Sequence, residues 1–410
     1  TPILVNIEIP KNKIQLFFLG FYILAIGSSL MSVPNIPIVI NRIIQLLGIL
    51  FISILFSVKA YYGNMGLYAR SIFLLFVTYQ LVIIFRDNQL SLWGIQRHIF
   101  TPGYLLYVAP ILIYKLSDLL FINQIIRLVT LLCKTFVFGI ILFLPYALSR
   151  SGTGINLYET FHGILGVGAI WGILMQEYLT KVQKRWIFIA VSITILLALI
   201  QGRRSILLMY VIAMLFHVLY KFSYELQSVK KRILYFFSLS SLLIIIYLFM
   251  SFYGSILFDT LFERMLEDTR SIVELNFLDD IRPGSFDFIW GRGISGTYYC
   301  PFVEFNGDDY REHIESGYLE LILKGGFVLV ILYFFFTLPA IFLGLFRSKN
   351  NLCKLSSIYC VLFSGFLYGV GSYYTFGIRY ILFLFSVFIC YKKNLRSLTN
   401  NDIVEMFNNK

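Results

Sequence analysis

Apolar stretches long enough to cross a lipid bilayer recur along the whole chain of 410 residues. A membrane-spanning helix needs about 20 apolar residues, and its backbone polar groups must be satisfied within the helix because lipid offers no partners. Twelve stretches approach this length, at residues 14–32, 36–58, 67–85, 102–120, 125–147, 157–177, 186–201, 204–221, 233–254, 316–346, 355–372 and 376–391. The sequence therefore predicts an all-α fold, a polytopic transmembrane helix bundle of about 12 spans.

The composition supports this class and excludes others. Hydrophobic residues make up 58% of the chain and charged residues 14%, which is far more apolar than a soluble domain of this size. The five cysteines show no metal-binding spacing such as Cys-x-x-Cys, and the four histidines are too few for a histidine-rich metal cage. We therefore expect no metal site built from cysteine or histidine clusters. No cofactor is expected either.

The acidic residues are concentrated in one segment. Of the 22 acidic residues, 14 lie between Asp259 and Glu320, a stretch that holds five arginines and no lysine. Leaving out this segment, whose own net charge is −9, raises the net charge of the chain from +12 to +21. The remaining basic residues lie mostly on short connecting segments and tails, a pattern that indicates membrane topology and not a nucleic-acid-binding surface.

The distribution of lysine and arginine predicts an orientation. The basic segments 176–185, 221–232 and 347–354 are expected in the cytoplasm, which leaves the lysine-free loop outside. We accordingly predict three parts: helices 1–9 in residues 1–254, an extracytoplasmic loop with short amphipathic helices in residues 255–315, and helices 10–12 with a cytoplasmic tail in residues 316–410.

Two of the predicted spans, 186–201 and 204–221, are short and meet at Gln201-Gly202-Arg203-Arg204-Ser205. Short spans are expected to hold this turn below the membrane surface, where two arginines are costly unless they meet a partner. Two interpretations stay open. The arginines reach the lipid headgroups, or they form an anion site, since a guanidinium binds phosphate through two parallel hydrogen bonds.

The long loop ends in a second polar cluster. Glu312-His313-Ile314-Glu315-Ser316-Gly317-Tyr318-Leu319-Glu320 leads directly into the predicted span 316–346. Such residues can simply be solvated at the membrane boundary, or they can supply acid–base chemistry. Upstream, Gly291-Arg292-Gly293 is typical of a tight turn that exposes Arg292, and this turn can equally be structural.

Taken together, these segments resemble the O-antigen polymerase and O-antigen ligase superfamily of bacterial envelopes. The resemblance covers residues 190–345 and is carried by Gly202-Arg203-Arg204-Ser205, the long loop with Arg270 and Gly291-Arg292-Gly293, Glu315-Ser316-Gly317-Tyr318-Leu319-Glu320-Leu321-Ile322, and Gly325-Gly326. The ligase branch is expected to carry a His-Asn pair before Tyr-Leu, and Glu315-Ser316 occupies that place here. This departure favours a polymerase over a lipid A-core ligase.

The resemblance implies a substrate and a location. Such polymerases act at the outer leaflet of the bacterial cytoplasmic membrane, without a metal ion. They transfer a glycan from undecaprenyl diphosphate onto another lipid-linked repeat unit, and undecaprenyl diphosphate leaves. The expected partners are this glycan donor and acceptor and the lipid bilayer; a chain-length regulator protein is a further candidate, and no nucleic acid is expected.

The resemblance also implies roles for individual residues. The acceptor hydroxyl needs a general base, which we expect to be Glu315 or His313. Glu315 is favoured because the motif that follows fixes its register. We expect the departing diphosphate to be held by arginines, namely Arg203, Arg204 and Arg270, with Arg292 as a weaker candidate. The expected sugar path is lined by Arg150, His162 and Tyr318.

Four alternatives stay open. An O-antigen ligase would transfer the glycan to lipid A-core instead. A multi-pass transporter fits twelve spans, but it would usually consist of two similar halves, and the first half has no counterpart of the 255–315 loop. A glycosyltransferase of the large outer-loop type would usually carry acidic residues in its first outer loop, and residues 31–37 contain none. The last alternative is a structural membrane scaffold.

The predicted topology has a direct test. A reporter fused after Lys231 should be cytoplasmic, and one inserted near Asp308 should be outside, because lysine and arginine retain a segment on the cytoplasmic side. Alkaline phosphatase and fluorescent-protein fusions measure the two locations. Finding both reporters on one side of the membrane would contradict the orientation.

Overall fold

The computed structural model describes residues 11–57, 65–86, 92–101, 103–116, 119–148, 156–222, 269–301, 309–369 and 375–408. Most of these residues are helical. The helices are α1 (Lys11–Leu30), α2 (Ile38–Ser53), α3 (Leu67–Phe85), α4 (Leu92–Phe100), α5 (Gly103–Leu116), α6 (Leu119–Leu142), α7 (Leu144–Leu148), α8 (Leu157–Phe161), α9 (Ala169–Leu174), α10 (Lys181–Ile200), α11 (Arg204–Tyr220), α12 (Thr269–Asp280), α13 (Phe286–Trp290), α14 (Gly317–Phe346), α15 (Asn351–Gly369), α16 (Ile378–Tyr391), α17 (Lys393–Ser397) and α18 (Asn400–Asn408).

Seven of the described helices are long and apolar enough to cross a membrane. They are α1, α2 with the 3₁₀ turn that extends it to Ser57, α3, α6, α10, α14 and α15. The apolar helices α5, α11 and α16 are shorter. Each of these helices coincides with a predicted span, so the prediction of a helical multi-pass membrane protein is confirmed. The count of twelve stays a prediction, and the predicted span 233–254 lies outside the described residues.

The predicted span 157–177 is an interrupted helix. The Asn156 side chain accepts a hydrogen bond from the Tyr158 N–H at 3.0 Å and thereby caps α8. A π-helical turn over His162–Gly166 follows, and α9 continues to Leu174. Turns of this kind widen a helix locally and occur often at functional sites.

The seventh span is longer than the sequence indicated. It begins at Lys181, because Thr180 and Gln183 form a capping box that closes the first turn, and it reaches 20 residues. The prediction of a short span is therefore wrong for this helix, although α11 has only 17 residues. The predicted turn at 201–203 is present, and Gly202 adopts a left-handed φ of 69° there.

The tenth span is broken inside the apolar region. Gly326 has φ 69° and ψ −178°, so α14 consists of two helical halves that meet at this residue. Carbonyl groups near the break accept hydrogen bonds from other parts of the chain: Arg292 N–H donates to Leu323 O at 2.7 Å, Gly293 N–H to Lys324 O at 3.0 Å, and the Tyr79 hydroxyl to Gly325 O at 2.7 Å. These bonds make an irregular backbone tolerable at this place.

Residues 269–301 form a compact polar segment beside the broken helix. Its helices α12 and α13 have 12 and five residues, too short to span a bilayer. Strand β1 (Tyr298–Tyr299) pairs in antiparallel fashion with β2 (Tyr310–Arg311), which leads into α14. The first part of the predicted loop with amphipathic helices, residues 255–268, lies outside the described residues.

The break in α14 generates a testable expectation. Gly326→Ala should destabilise the protein, because a Cβ atom would overlap with the Ile289 carbonyl. In addition, the backbone conformation of Gly326 is open essentially only to glycine, and the strain in any other residue costs about 1–3 kcal/mol. The matched control is Gly365→Ala in α15, where a Cβ atom would meet no atom within 4 Å. Thermal unfolding in detergent should show a lowered midpoint for the first variant only; equal midpoints would contradict the break.

Candidate active site

His313 lies just before the N-terminal end of the broken helix α14 and contacts a buried carboxylate. Its Nδ1 is 2.9 Å from Oε1 of Glu320, and the other carboxylate oxygen accepts the Ile314 N–H at 3.0 Å. The His313 side chain is 62% exposed, whereas that of Glu320 is 4% exposed. The other three histidines of the chain, His98, His162 and His217, are buried. His313 is thus the histidine that a substrate outside the bundle can reach.

Glu320 is surrounded by groups that stabilise a buried charge. Lys324 lies one helical turn further along α14, is buried, interacts electrostatically with Glu320, and donates a hydrogen bond to Gly296 O at 2.9 Å. Tyr107 and Tyr298 also interact electrostatically with Glu320. A cationic neighbour and direct hydrogen bonds offset the cost of burying a carboxylate and hold it in one orientation.

The residues predicted around this pair occupy different settings. Glu315, predicted as the favoured base, is exposed just before the first turn of α14. Tyr318, predicted on the sugar path, donates its hydroxyl to Ser364 O at 2.9 Å and stacks on Phe334, so it connects α14 to α15. The orientation of His313 is fixed by a buried partner, Glu320.

Arg292 is held within the polar segment. Its Nε donates to Asp287 at 2.8 Å, and its Nη1 donates to Asp280 at 2.6 Å and to Thr297 O at 2.7 Å. Burial opposes the charge, but the hydrogen bonds to the two carboxylates outweigh it and raise the pKa of Arg292 above the usual arginine value. This geometry supports the structural interpretation of the Gly-Arg-Gly turn.

The arginines of the 201–205 turn are placed beside α8. Arg203 forms an ion pair with Glu159, and both side chains are partly exposed. Arg204 is exposed at the start of α11, and its side chain has no hydrogen-bond or ion-pair partner among the described residues. The turn itself is fixed by Gln201, which accepts a hydrogen bond from Asn156 at 2.7 Å.

None of the contacts that the structure describes places the other three predicted residues beside this turn or beside His313. His162 is 2% exposed and hydrogen-bonded to the Tyr210 hydroxyl at 3.2 Å, so it belongs to the packed interior. Arg270 lies in the first turn of α12, and its side chain is outside the described set. Arg150 lies outside the described residues. The roles predicted for these residues stay predictions.

Sequence reasoning missed several residues of the site. Glu320 was recognised only as part of a cluster, and Lys324 was not singled out. The signal was available, because charged residues four positions apart in an otherwise apolar helix are expected to face a protein interior and a partner. Arg97, which pairs with Glu312, and Arg86, whose Nη2 donates to Gly291 O at 2.7 Å, carried no sequence signal of this kind.

Comparison with known proteins adds no relative: no family model, no curated protein and no solved structure matches this chain. The interpretation of the site therefore depends on its geometry and on the motif resemblance alone.

Proposed function

We propose that this protein is a polymerase of lipid-linked glycans at the outer face of the bacterial cytoplasmic membrane. It would take the growing glycan from undecaprenyl diphosphate and transfer its reducing end to another lipid-linked repeat unit. The observation that carries the proposal is the His313–Glu320 pair, an exposed imidazole oriented by a buried carboxylate at the mouth of a membrane helix. The motif resemblance over residues 190–345 supplies the class of substrate.

The pair suits general base catalysis. An ionised Glu320 can only accept hydrogen bonds, so the shared proton lies on Nδ1 of His313, and in the neutral imidazole Nε2 then carries the free lone pair. Nε2 accepts the proton of the acceptor hydroxyl as that oxygen bonds to the anomeric carbon of the donor. The bond between the anomeric carbon and the diphosphate oxygen breaks, and undecaprenyl diphosphate leaves with the electron pair. Glu320 stabilises the imidazolium that forms.

The leaving diphosphate needs positive charge. Arg204 offers an exposed guanidinium at the N-terminus of α11, where the helix dipole and the unpaired backbone N–H groups also favour an anion. Arg203 lies next to it, paired with Glu159, and can exchange that carboxylate for a phosphate. We assign the diphosphate to these two arginines and assign Arg292 to the structure of the loop.

The assignment of the base is tested by in vitro polymerisation of a lipid-linked repeat unit with purified variants. His313→Ala should lower the rate by roughly 10²–10⁴-fold, the usual contribution of a general base. Glu320→Gln should also lower the rate, since it removes the charge that orients and stabilises the imidazole.

Glu315→Gln is the matched carboxylate control and should polymerise at nearly the normal rate. A normal rate for His313→Ala together with an inactive Glu315→Gln would identify Glu315 as the base. If wild-type protein transfers glycan only to lipid A-core and never to a second repeat unit, the protein is a ligase and the proposed function is wrong.

The arginine assignment is tested in the same assay. Arg203→Ala and Arg204→Ala should each lower the rate by roughly 100-fold, as does removal of one group that stabilises developing charge. Lysine should restore it only partly, because a point charge cannot bind phosphate in a planar fork. Arg185→Ala is the control, since Arg185 is exposed near the opposite end of α10. Full activity in both alanine variants would remove the arginines from the site.

A further inference from the structure

A groove of about 240 Å³ lies between α1 and α6, and none of the residues of the candidate active site lines it. Its walls are the apolar side chains of Phe18, Leu19, Leu128 and Leu131, and its polar lining includes Gln15, Gln124 and Arg127. The Tyr22 hydroxyl is hydrogen-bonded to Thr135 at 2.8 Å further along both helices, so α1 and α6 run parallel. The polar end of the groove therefore lies where both helices begin.

Arg127 is the unusual group in this groove. It lies inside the apolar span Phe121–Leu142, six residues from the start of the span, which is about 9 Å at a rise of about 1.5 Å per residue. Its side chain is exposed. Neither α1 nor α6 contains an acidic residue, and no hydrogen bond or ion pair of its side chain exists among the described residues. An exposed guanidinium in an apolar span is costly unless it meets an anion or reaches the lipid headgroups.

Gln124 adds a second polar group to the same end. Its Oε1 is buried and accepts no hydrogen bond within the described part of the chain. It lies one turn before Arg127 on α6 and lines the same groove. A ligand that fits both residues carries a negative charge and a hydroxyl donor next to each other. The apolar walls require that the rest of this ligand be hydrocarbon.

We propose that the groove binds an anionic phospholipid with a hydroxyl-bearing headgroup, of the phosphatidylglycerol class. The phosphate accepts hydrogen bonds from Arg127, a headgroup hydroxyl donates to Gln124, and an acyl chain lies along Phe18, Leu19, Leu128 and Leu131. Basic pockets between transmembrane helices recognise anionic headgroups in this way. This site is independent of the proposed polymerase activity.

Native mass spectrometry tests the proposal. The purified full chain is titrated with phosphatidylglycerol or with phosphatidylcholine of the same acyl chains. Wild-type protein should bind phosphatidylglycerol at least about fivefold more tightly, the effect expected for one basic residue near an anionic headgroup. Arg127→Gln should abolish this preference. The matched control is Lys134→Gln on the same helix, whose ammonium lies 5.5 Å over the Trp186 ring, and it should keep the preference.

A second variant tests the groove itself. Leu131→Trp keeps Arg127 but fills the apolar wall, so it should weaken the binding of phosphatidylglycerol. An unchanged preference in Arg127→Gln, or unchanged binding of phosphatidylglycerol in Leu131→Trp, would overturn the proposal. So would competition by inorganic phosphate as effective as that of the lipid, which would identify a site for free phosphate. Should Arg127→Gln fail to fold, the result with Leu131→Trp decides.

Discussion

The arrangement of the polar segment 269–301 and of the charged residues of α14 depends on the break in this helix. A helix interrupted inside an apolar region leaves carbonyl groups that lipid cannot satisfy. Here the N–H groups of Arg292 and Gly293 and the hydroxyl of Tyr79 donate hydrogen bonds to those carbonyls. The 291–293 turn and the break stabilise each other, since Gly291 and Gly326 pack backbone against backbone with no room for a Cβ atom on either.

This arrangement determines how the charged residues of α14 are placed. The half-helix before the break carries Glu320 and Lys324 into the protein interior, where Lys324 contacts the Gly296 carbonyl of the same loop. Arg292 holds that loop together through Asp280 and Asp287. The position of Glu320 is thus supported from both the helix and the loop, and His313 receives a partner that is rigid and charged.

The candidate site was predictable in part. The cluster 312–320 and the turn at 201–205 stand out because charged residues interrupt apolar sequence at two places. The partners of these residues did not follow from the pattern. Glu315 was favoured as the base on its register in a motif, whereas we propose His313. The side chain that orients His313 comes from seven positions further along the chain, and the motif did not indicate this contact. The sequence left the role of Arg292 undecided. Its two acidic partners come close to it only when α12 and α13 are folded against the loop.

The sequence by itself determined the class of the protein and the positions of most helices, because apolar length is a local property and the membrane imposes a length of its own. Gly325-Gly326 appeared only as part of the motif resemblance, which did not indicate that α14 breaks there. Only the tertiary structure decided which charges meet: His313 with Glu320, Arg203 with Glu159, and Arg292 with Asp280 and Asp287. The physical reason is that a helix apolar on all sides carries no periodic signal of its rotation, so the pairing of its few polar residues is set by packing between helices and by the path of the loops.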